Sequence, residues 1–502
     1  MKRSPFFVLL LGLIFLSETG HLRADDDFGF GSDTVSGDGE DFGFSGGTSS
    51  ASSSSFTPGF SGVKINGEIS AELLGFTDDF ETADKIKQGR LGDVFTGVLN
   101  FSTSGSAADA VINLNLAPVF DGSASLLSID EAYVRAYFGP VNIEGGIRKL
   151  TWGRADSFGP LDVVNPLDYT DLTKISDPIN VKIGRPLAHV SWGIGNFSKL
   201  EGVFVPSFRG HRVAMSDRWV PSQIKEITSM VPSLTAGLKA DLRQNPSITS
   251  SQLADILGSL NNWQNNFNIL NYYQQYKEGL EYAQAGLRFT TTIGSSDLGL
   301  QYYYGRIPRP ALSIRLDKYL ESFDPENILS MDYNSYHQIG VDYARVIAGF
   351  NIRAEAAANI TEDIEGDRGD VYNPSAAWSL GFDRDVIGGI NVNLQAAESI
   401  RLFHDKIGKD SLVIDTEDGK NLTSTRLTLI ISKKFFRDRL ECKTLGLWDI
   451  EEEGFLIMPS VIWSKNDVSV ELSGGIFGGE KDSELGQYRN NCFVKAVLAY
   501  RF

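Results

Sequence analysis

The chain has 502 residues, a formal net charge of −18 and only two cysteines, and 42% of its residues are apolar. Two cysteines are too few for a disulfide framework, and the acidic balance argues against nucleic acid as a partner. After the first twenty residues no apolar run approaches the ~20 residues that a membrane-spanning helix needs. A membrane β-barrel remains possible, because its strands alternate apolar and polar residues and average to a polar composition.

The chain begins with an export signal. Lys2 and Arg3 form a basic start, residues 6–16 are an apolar core, and a polar stretch ends at Ala24. The core is too short to anchor the chain in a bilayer, which is typical of a cleaved signal peptide; the alternative is a buried N-terminal helix. We assign residues 1–24 to the signal peptide, with cleavage after Ala24, although Leu22 departs from the small residue expected before the cleavage site.

An acidic segment rich in Gly and Ser follows at residues 25–61. It holds seven acidic residues and no Lys or Arg. Such a composition cannot bury enough apolar surface to offset the entropy of ordering, so we expect a disordered tail. Its internal echo, DFGFGS at 27–32 against DFGFSG at 41–46, fits a simple tether or a motif for a periplasmic partner. Of the total charge of −18, the signal contributes +2 and the tail −7, which leaves −13 for residues 62–502.

Residues 62–502 carry the pattern of a membrane β-barrel. Residues 63–73 alternate strictly between apolar or Gly and polar, over the length of a tilted membrane strand. Similar patterns predict strands near 93–103, 108–118, 129–138, 141–151, 187–196, 199–208, 283–294, 297–306, 335–347, 350–360, 376–386, 389–401, 423–434, 439–449, 454–464, 467–478 and 490–502. Tight turns such as Gly139-Pro140 follow even-numbered strands and longer loops follow odd-numbered ones, as in outer-membrane barrels. Because the connection near 449–453 is short where a long loop is expected, the count is sixteen or eighteen.

The alternation also predicts which side chains face lipid and which face the lumen. The lipid-facing set comprises Ile65, Ile69, Leu73, Val470, Leu472 and Leu498, and the lumen-facing set comprises Lys64, Glu68, Ser469 and Glu471. We therefore expect an all-β fold: a closed antiparallel transmembrane β-barrel of 16–18 strands with both termini periplasmic. By this strand count Cys442 and Cys492 lie three strands apart, so free thiols are expected.

The last strand carries a candidate assembly signal. Alternate residues from Val494 to Phe502 are apolar, and the chain ends on Phe502. The ending Leu498, Tyr500 and Phe502 resembles the terminal signal that the bacterial barrel-assembly machinery reads. This machinery and outer-membrane lipid are therefore expected partners. Together with the export signal, the ending predicts a location in the bacterial outer membrane.

The middle of the chain resembles a known family. Glu131-Ala132-Tyr133 precedes a G-x-x-x-x-x-W-G run that ends at Gly153, and D-V-V-N-P-L-D follows at 162–168. This succession is similar to the porin-like outer-membrane barrels of two-membrane bacteria whose function is largely unassigned. The resemblance spans most of residues 62–502 and implies a porin-like channel without naming a substrate. Residues 209–282 depart from it: a helical insertion near 211–282 includes a helix from Gln252, with Ser251 as its candidate cap.

The connection 151–186 is the third long loop and carries charges of both signs. The candidate constriction residues in and beside it are Arg148, Arg154, Asp156, Asp162, Asp168, Asp171, Lys174 and Arg185. A charged loop folded into a wide lumen narrows it, and charged side chains around a pore select ions. Prolines at 166 and 178 favour a fixed path for the loop. The alternative is a solvated surface loop. If the loop lines the constriction, its acidic residues Asp156, Asp162, Asp168 and Asp171 are expected to favour cations, with residues 162–168 at the narrowest point.

The remaining chemistry does not indicate an enzyme. His189, His211, His337 and His404 have no recognisable nucleophile or metal spacing around them, so neither catalysis nor a metal or cofactor is expected. The expected function is passive diffusion of small polar or amphipathic solutes through a lumen narrowed near 152–186. The alternative is a surface-exposed adhesin or binding barrel that uses the long loops 209–282 and 306–334. The sequence leaves open the solute, the oligomeric state and whether the insertion plugs the pore.

Overall fold

The barrel is closed by eighteen antiparallel strands. The computed structural model describes residues 62–80, 95–116, 127–273 and 276–502; the predicted signal peptide and acidic tail lie outside these residues. Each strand pairs with the next along the chain, and the last pairs with the first. The predicted strands are therefore confirmed, with eighteen as the number. In chain order they are β1 (Lys64–Phe76), β2 (Phe95–Ser104), β3 (Ala108–Leu116), β4 (Leu127–Phe138), β5 (Val141–Arg148), β6 (Arg185–Ile194), β7 (Ser198–Val205), β8 (Gln284–Ile293), β9 (Ser296–Arg306), β10 (Ser335–Ile347), β11 (Phe350–Thr361), β12 (Ser375–Val386), β13 (Ile390–Arg401), β14 (Thr423–Phe435), β15 (Leu440–Asp449), β16 (Gly454–Lys465), β17 (Val468–Gly479) and β18 (Phe493–Arg501).

The two rims differ in the length of their connections, as predicted. Tight turns follow the even-numbered strands, and Ala348 and Gly349 show why they can be so short: both have positive φ, as two-residue hairpins require. The long connections L3 (149–184), L4 (206–283), L5 (307–334), L6 (362–374), L7 (402–422) and L9 (480–492) lie at the opposite rim. The short connection 450–453 also lies there; β15 and β16 pair from Asp449 and Gly454 onward, so it removes no strand.

The side chains of each strand alternate between the two faces of the barrel. On β9, Leu298, Leu300 and Tyr302 are exposed on the outside, whereas Gln301 and Tyr303 between them are buried towards the lumen. The predicted lipid-facing residues follow the same register. Ile69, Leu73, Val470, Leu472 and Leu498 are exposed, and Ile65 lies on the same face of β1 but is half-buried. The apolar outer surface is therefore continuous around the barrel wall, which fits a lipid environment.

The long loops L4, L5 and L7 together build a cap with its own core. It contains the helices α1 (Ser222–Gln244), α2 (Ser250–Asn266) and α3 (Leu316–Ser322) and a small sheet of Ala311–Arg315, Leu329–Asp332 and Val413–Ile414. Leu238, Leu260 and Tyr319 are among its buried side chains. The N-terminal residue that caps helix α2 differs from the prediction. It is Thr249 and not Ser251, because Thr249 forms a capping box with Gln252. Among the described residues, no helix is long and apolar enough to cross a membrane.

Candidate functional site

The tip of L3 is wrapped around one carboxylate of the barrel wall. Glu355 of β11 points inward and is buried, and it accepts the backbone N–H groups of Arg154, Ala155 (2.7 Å) and Leu161 (3.4 Å). Gly153 and Gly159 pass so close that a Cβ at either position would collide with this carboxylate. The glycine of the W-G motif is therefore required by the close approach of the loop backbone to the wall.

Ion pairs fix the same part of L3 to neighbouring strands. The guanidinium of Arg154 lies 2.6 Å from Asp342 of β10, which also pairs with Arg288 of β8 at 3.0 Å. Asp156 pairs with Arg353 of β11. Burial raises the pKa of Asp156, although Arg353 acts in the opposite direction. Charges on both the loop and the wall thus hold L3 against the lumen side of β8–β11.

Three glutamines complete this contact. Gln301 of β9 and Gln338 of β10 donate to the backbone oxygens of Leu161 and Pro160, each at 3.0 Å, and Gln395 of β13 donates to Phe158 at 3.4 Å. L3 leaves β5 and makes these contacts on β9–β13, so it reaches across the lumen rather than lying over the rim. The described contacts therefore lie between this part of L3 and the inner wall of the barrel.

A second sector of the lumen is filled by apolar side chains. The inward residues of β14–β17 here are Ile430, Leu445, Leu447, Leu456, Met458 and Phe477, and all are buried. Leu172 and Ile175 of L3 pack against them together with Trp219 and Val220 of L4. Since an apolar lumen wall in contact with water is unfavourable, this sector is stable only when the two loops cover it.

A water-accessible cavity of about 270 Å³ remains between L3 and the opposite wall. Asn115, Ser128 and Asp130 line it from β3 and β4, and L3 and L4 line it with Thr170, Asp171, Lys174, Lys182, Arg209 and Arg212 among others. Asp168 also belongs to its lining. The lining therefore holds three acidic and four basic side chains. We refer to this space as the L3 passage.

Most charges of the L3 passage are paired. Asp168 lies 2.7 Å from Arg212, and Asp171 lies 3.2 Å from Lys174. Burial opposes the ionisation of Asp171 and of Lys174, but their attraction outweighs it, so the pKa of Asp171 is lowered and that of Lys174 is raised. Both groups are consequently charged at neutral pH.

The predicted constriction residues fall into three groups. Asp168, Asp171 and Lys174 line the L3 passage. Arg154 and Asp156 instead hold the loop on the far wall, and Asp162 bonds to the buried Lys182 at 2.6 Å. Arg148 and Arg185 are buried where L3 leaves and rejoins the barrel: Arg148 pairs with Glu144, and Arg185 donates to the backbone oxygens of Val164 (3.0 Å) and Ser207 (2.5 Å).

Several residues of this site were not predicted from the sequence. Arg209 and Arg212 lie in L4, which the hydrophobic pattern marked only as an insertion, and Asp130 lies at a bulge in the register of β3 and β4. Glu355 is one of many inward polar residues, and nothing in its local sequence identifies its contact with L3. Part of the apolar inner wall left a usable signal: Leu445 and Leu447 of β15 and Leu456 and Met458 of β16 are apolar inward residues on strands whose outward residues are also mostly apolar. Such a stretch predicts cover on both faces of the sheet.

Each of the four histidines has a structural contact. His189 lies between the carboxylates of Glu144 (3.2 Å) and Glu201 (3.3 Å). His211 accepts the backbone N–H of Leu167, and burial, with Arg309 nearby, lowers its pKa to about 3. His337 is 2.7 Å from the Tyr302 hydroxyl, and His404 is 2.8 Å from the backbone oxygen of Lys420.

Comparisons with known proteins returned structures only. No family model and no curated protein matches the chain. OmpF of Salmonella typhi is 9% identical with a TM-score of 0.38, covering 88% of this chain and 97% of its own. The outer membrane channel DcaP of Acinetobacter baumannii is 10% identical with a TM-score of 0.38, and the match covers 89% of this chain and 99% of the DcaP chain. Wzi of Escherichia coli, a carbohydrate-binding β-barrel involved in capsule assembly, is 11% identical with a TM-score of 0.43. The match covers 87% of this chain and 84% of the Wzi chain.

Proposed function

We propose that this protein is an outer-membrane channel through which small polar solutes diffuse along the L3 passage. The observation that carries the proposal is the water-accessible space of about 270 Å³ between L3 and the polar wall of β3 and β4. Away from this space, L3 makes polar contacts on β8–β13 and apolar contacts on β14–β17. A solute therefore meets charged side chains of both signs, and pores select solutes by such linings.

The same geometry gives the proposed constriction. L3 narrows the lumen, and Asp168, Asp171 and Lys174 line the remaining space with Arg209 and Arg212. The contacts of Glu355 with three backbone N–H groups keep the loop in place. Small polar or amphipathic solutes fit a passage of this size, because a bulky ligand would have to displace the loop from the wall.

A second candidate function is a surface binding protein. The observation that favours it is the cap, since α1, α2 and α3 share a core that is separate from the barrel wall. In this case the cap engages a partner outside the cell, and the barrel serves as its anchor. A binding barrel of this kind would need no conducting passage, so electrical measurements separate the two functions.

We further propose the orientation that outer-membrane barrels share: the tight-turn rim, where β1 begins and β18 ends, faces the periplasm, and the cap faces the outside. The export signal at residues 1–24 and the acidic tail at 25–61 fit this orientation, because a tail joined to β1 then extends into the periplasm.

Chemical blocking tests the passage directly. Cys442 and Cys492 are free thiols, as the sequence predicts, and Cys→Ser changes at both give a cysteine-free background. In this background, Thr170→Cys places a thiol in the L3 passage. Modification by a bulky charged thiol reagent is expected to reduce the single-channel current by more than half.

Ser229→Cys on the outer surface of α1 is the matched control, because its modification leaves the passage unobstructed. Mass spectrometry must show that both variants react fully. A fully modified Thr170→Cys protein with unchanged current would place the conduction path elsewhere.

The terminal residue gives a prediction about assembly. Phe502 exchanges two backbone hydrogen bonds with Gly67 of β1 (2.9 and 3.0 Å), and its ring stacks on Tyr500. Replacing Phe502 with Asp is expected to lower the amount of folded barrel in the outer membrane severalfold without reducing export, because the aromatic ending is proposed to be read during assembly. Heat-modifiable mobility on gels measures the folded fraction, and Arg501→Ala serves as the neighbouring control. If the Phe502→Asp variant shows as much folded barrel as the wild type, Phe502 has no such role in assembly.

A further inference from the structure

The outer surface of the barrel is unevenly charged. In the described part of β1–β8, and again on β17 and β18, no outward position holds Lys, Arg, Asp or Glu. The outward positions of these strands are filled by apolar, small or hydroxyl side chains. This is the composition expected of a wall that meets only lipid tails.

Charged residues do occupy outward positions on β9–β16. Arg306 and Glu398 lie towards the long-loop rim, and four cations lie at the tight-turn rim on neighbouring even-numbered strands. Arg345 of β10, Arg384 of β12 and Lys433 of β14 point outward, each two residues before the last residue of its strand, and Lys465 is the last residue of β16. All four lie at the tight-turn rim. Because adjacent strands are about 4.8 Å apart, alternate strands place these charges roughly 10 Å from one another along the rim. We name this set the basic row.

The basic row is not neutralised by the protein. None of the four side chains has a carboxylate within ion-pair distance among the described residues. Two of them lie on aromatic rings instead: the Arg384 guanidinium is 4.5 Å from the Phe350 ring centre, and the Lys433 ammonium is 4.9 Å from that of Phe435. The tight turn after β14 adds Arg437 and Arg439 against a single acid, Asp438. Asp385 and Asp467 also lie at this rim, but the cations outnumber the acids there, so the sector carries a net positive charge.

A cation on the outer wall has an energetic cost that depends on depth. It is about 2–4 kcal/mol at the midplane of a bilayer and falls to about 0–1 near its surface. Long Arg and Lys side chains reduce the cost further by extending to the headgroups while their carbon chains remain in the apolar layer. Four such residues at the same depth along the barrel axis consequently indicate that a negatively charged surface lies beside this rim. The phosphates of phospholipids provide such a surface.

We propose that the basic row binds the phosphate groups of anionic phospholipids in the leaflet at the tight-turn rim. The aromatic rings of Phe350 and Phe435 hold the cations at the boundary between tails and headgroups. Neighbouring cations bind separate phosphates, so lipids with two phosphates can engage two members of the row at once. The proposal rests on the barrel being inserted in a membrane, and it does not depend on conduction through the L3 passage.

The test compares two variants that lose the same charge. The first carries Arg345→Gln, Arg384→Gln, Lys433→Gln and Lys465→Gln. The control carries glutamine at four exposed lysines of the opposite rim and cap: Lys225, Lys318, Lys409 and Lys481. Each full-length mature protein is placed in nanodiscs of phosphatidylcholine with added cardiolipin, phosphatidylglycerol or phosphatidylethanolamine, and native mass spectrometry counts the lipids that stay bound.

The wild type and the control are expected to retain cardiolipin and phosphatidylglycerol in preference to phosphatidylethanolamine. Each lost cation of the row is expected to weaken this preference about fivefold, which corresponds to about 1 kcal/mol per basic residue near an anionic surface. Equal retention of anionic lipids by both variants would overturn the proposal, as would a wild type without preference. Heat-modifiable mobility verifies that both variants are folded. Their single-channel currents should match the wild type, so the failure of lipid binding is distinguishable from the failure of the channel.

Discussion

Replacing Glu355 with alanine is expected to raise the single-channel conductance severalfold and to make the open current noisy. The wild-type carboxylate is buried and accepts backbone N–H groups from Arg154, Ala155 and Leu161. Each such hydrogen bond contributes about 0.5–1.5 kcal/mol to stability. Without them the tip of L3 can leave the wall of β11, and the sealed side of the lumen opens to solution.

Asp383→Ala is the matched control for this prediction. Asp383 also faces the lumen, and its replacement likewise removes a carboxyl group. This carboxylate accepts hydrogen bonds from Asn351 and Asn391 of the neighbouring strands and not from L3. Its conductance should remain close to that of the wild type. If Glu355→Ala folds and yet conducts with the current and noise of the wild type, L3 does not depend on this carboxylate, and the account of how the loop is held is wrong.

Charge changes in the L3 passage are expected to move ion selectivity in opposite directions. Asp168→Asn with Asp171→Asn should shift the zero-current potential in a salt gradient towards anions, and Arg209→Gln with Arg212→Gln should shift it towards cations. A unit charge about 5 Å from an ion in water changes its energy by about 0.8 kcal/mol, a roughly fourfold change in local concentration. Two removed charges should therefore change the permeability ratio by about an order of magnitude.

The contacts of each acidic residue determine which of them are suitable for replacement. Asp162 is not among the best targets, because its partner Lys182 is almost fully buried and would be left without its ion pair. Lys225→Gln with Lys481→Gln on the outer surface serves as the control, since charges more than about 8 Å from the ion path are screened at physiological salt. Shifts of the same sign for the acidic and the basic pair would show that these residues do not line the conduction path.

The barrel itself could be predicted because its physical signal is local. A period of two appears within each strand, and the length of each connection is visible between two strands, so the strands and their faces follow from short stretches of sequence. Only the short connection after Asp449 left the choice between sixteen and eighteen strands open. A fixed path for L3 was predicted for a similar reason, because Asn165-Pro166 and Asp177-Pro178 favour turns. Asn165 does fix that path, by accepting from Leu150 and donating to the backbone oxygens of Arg148 and Ile183.

The contacts that hold the site could not be predicted from local patterns. Arg154 meets Glu355 and Asp342 about 200 residues further along the chain. Many inward positions hold acidic residues, and only the three-dimensional structure of the closed barrel shows which of them L3 contacts. The role of Trp219 was hidden for the same reason, because it covers Phe477 of β17 from within an insertion that the strand pattern could not place.

The most direct test of the proposed channel is a planar-bilayer recording of the purified mature protein. We expect discrete, stable current steps in simple salt solutions, with a conductance that increases when the Glu355 contact is removed. Folded protein that inserts into the bilayer and passes no current in either form would contradict it. The barrel would then serve to anchor the cap formed by L4, L5 and L7.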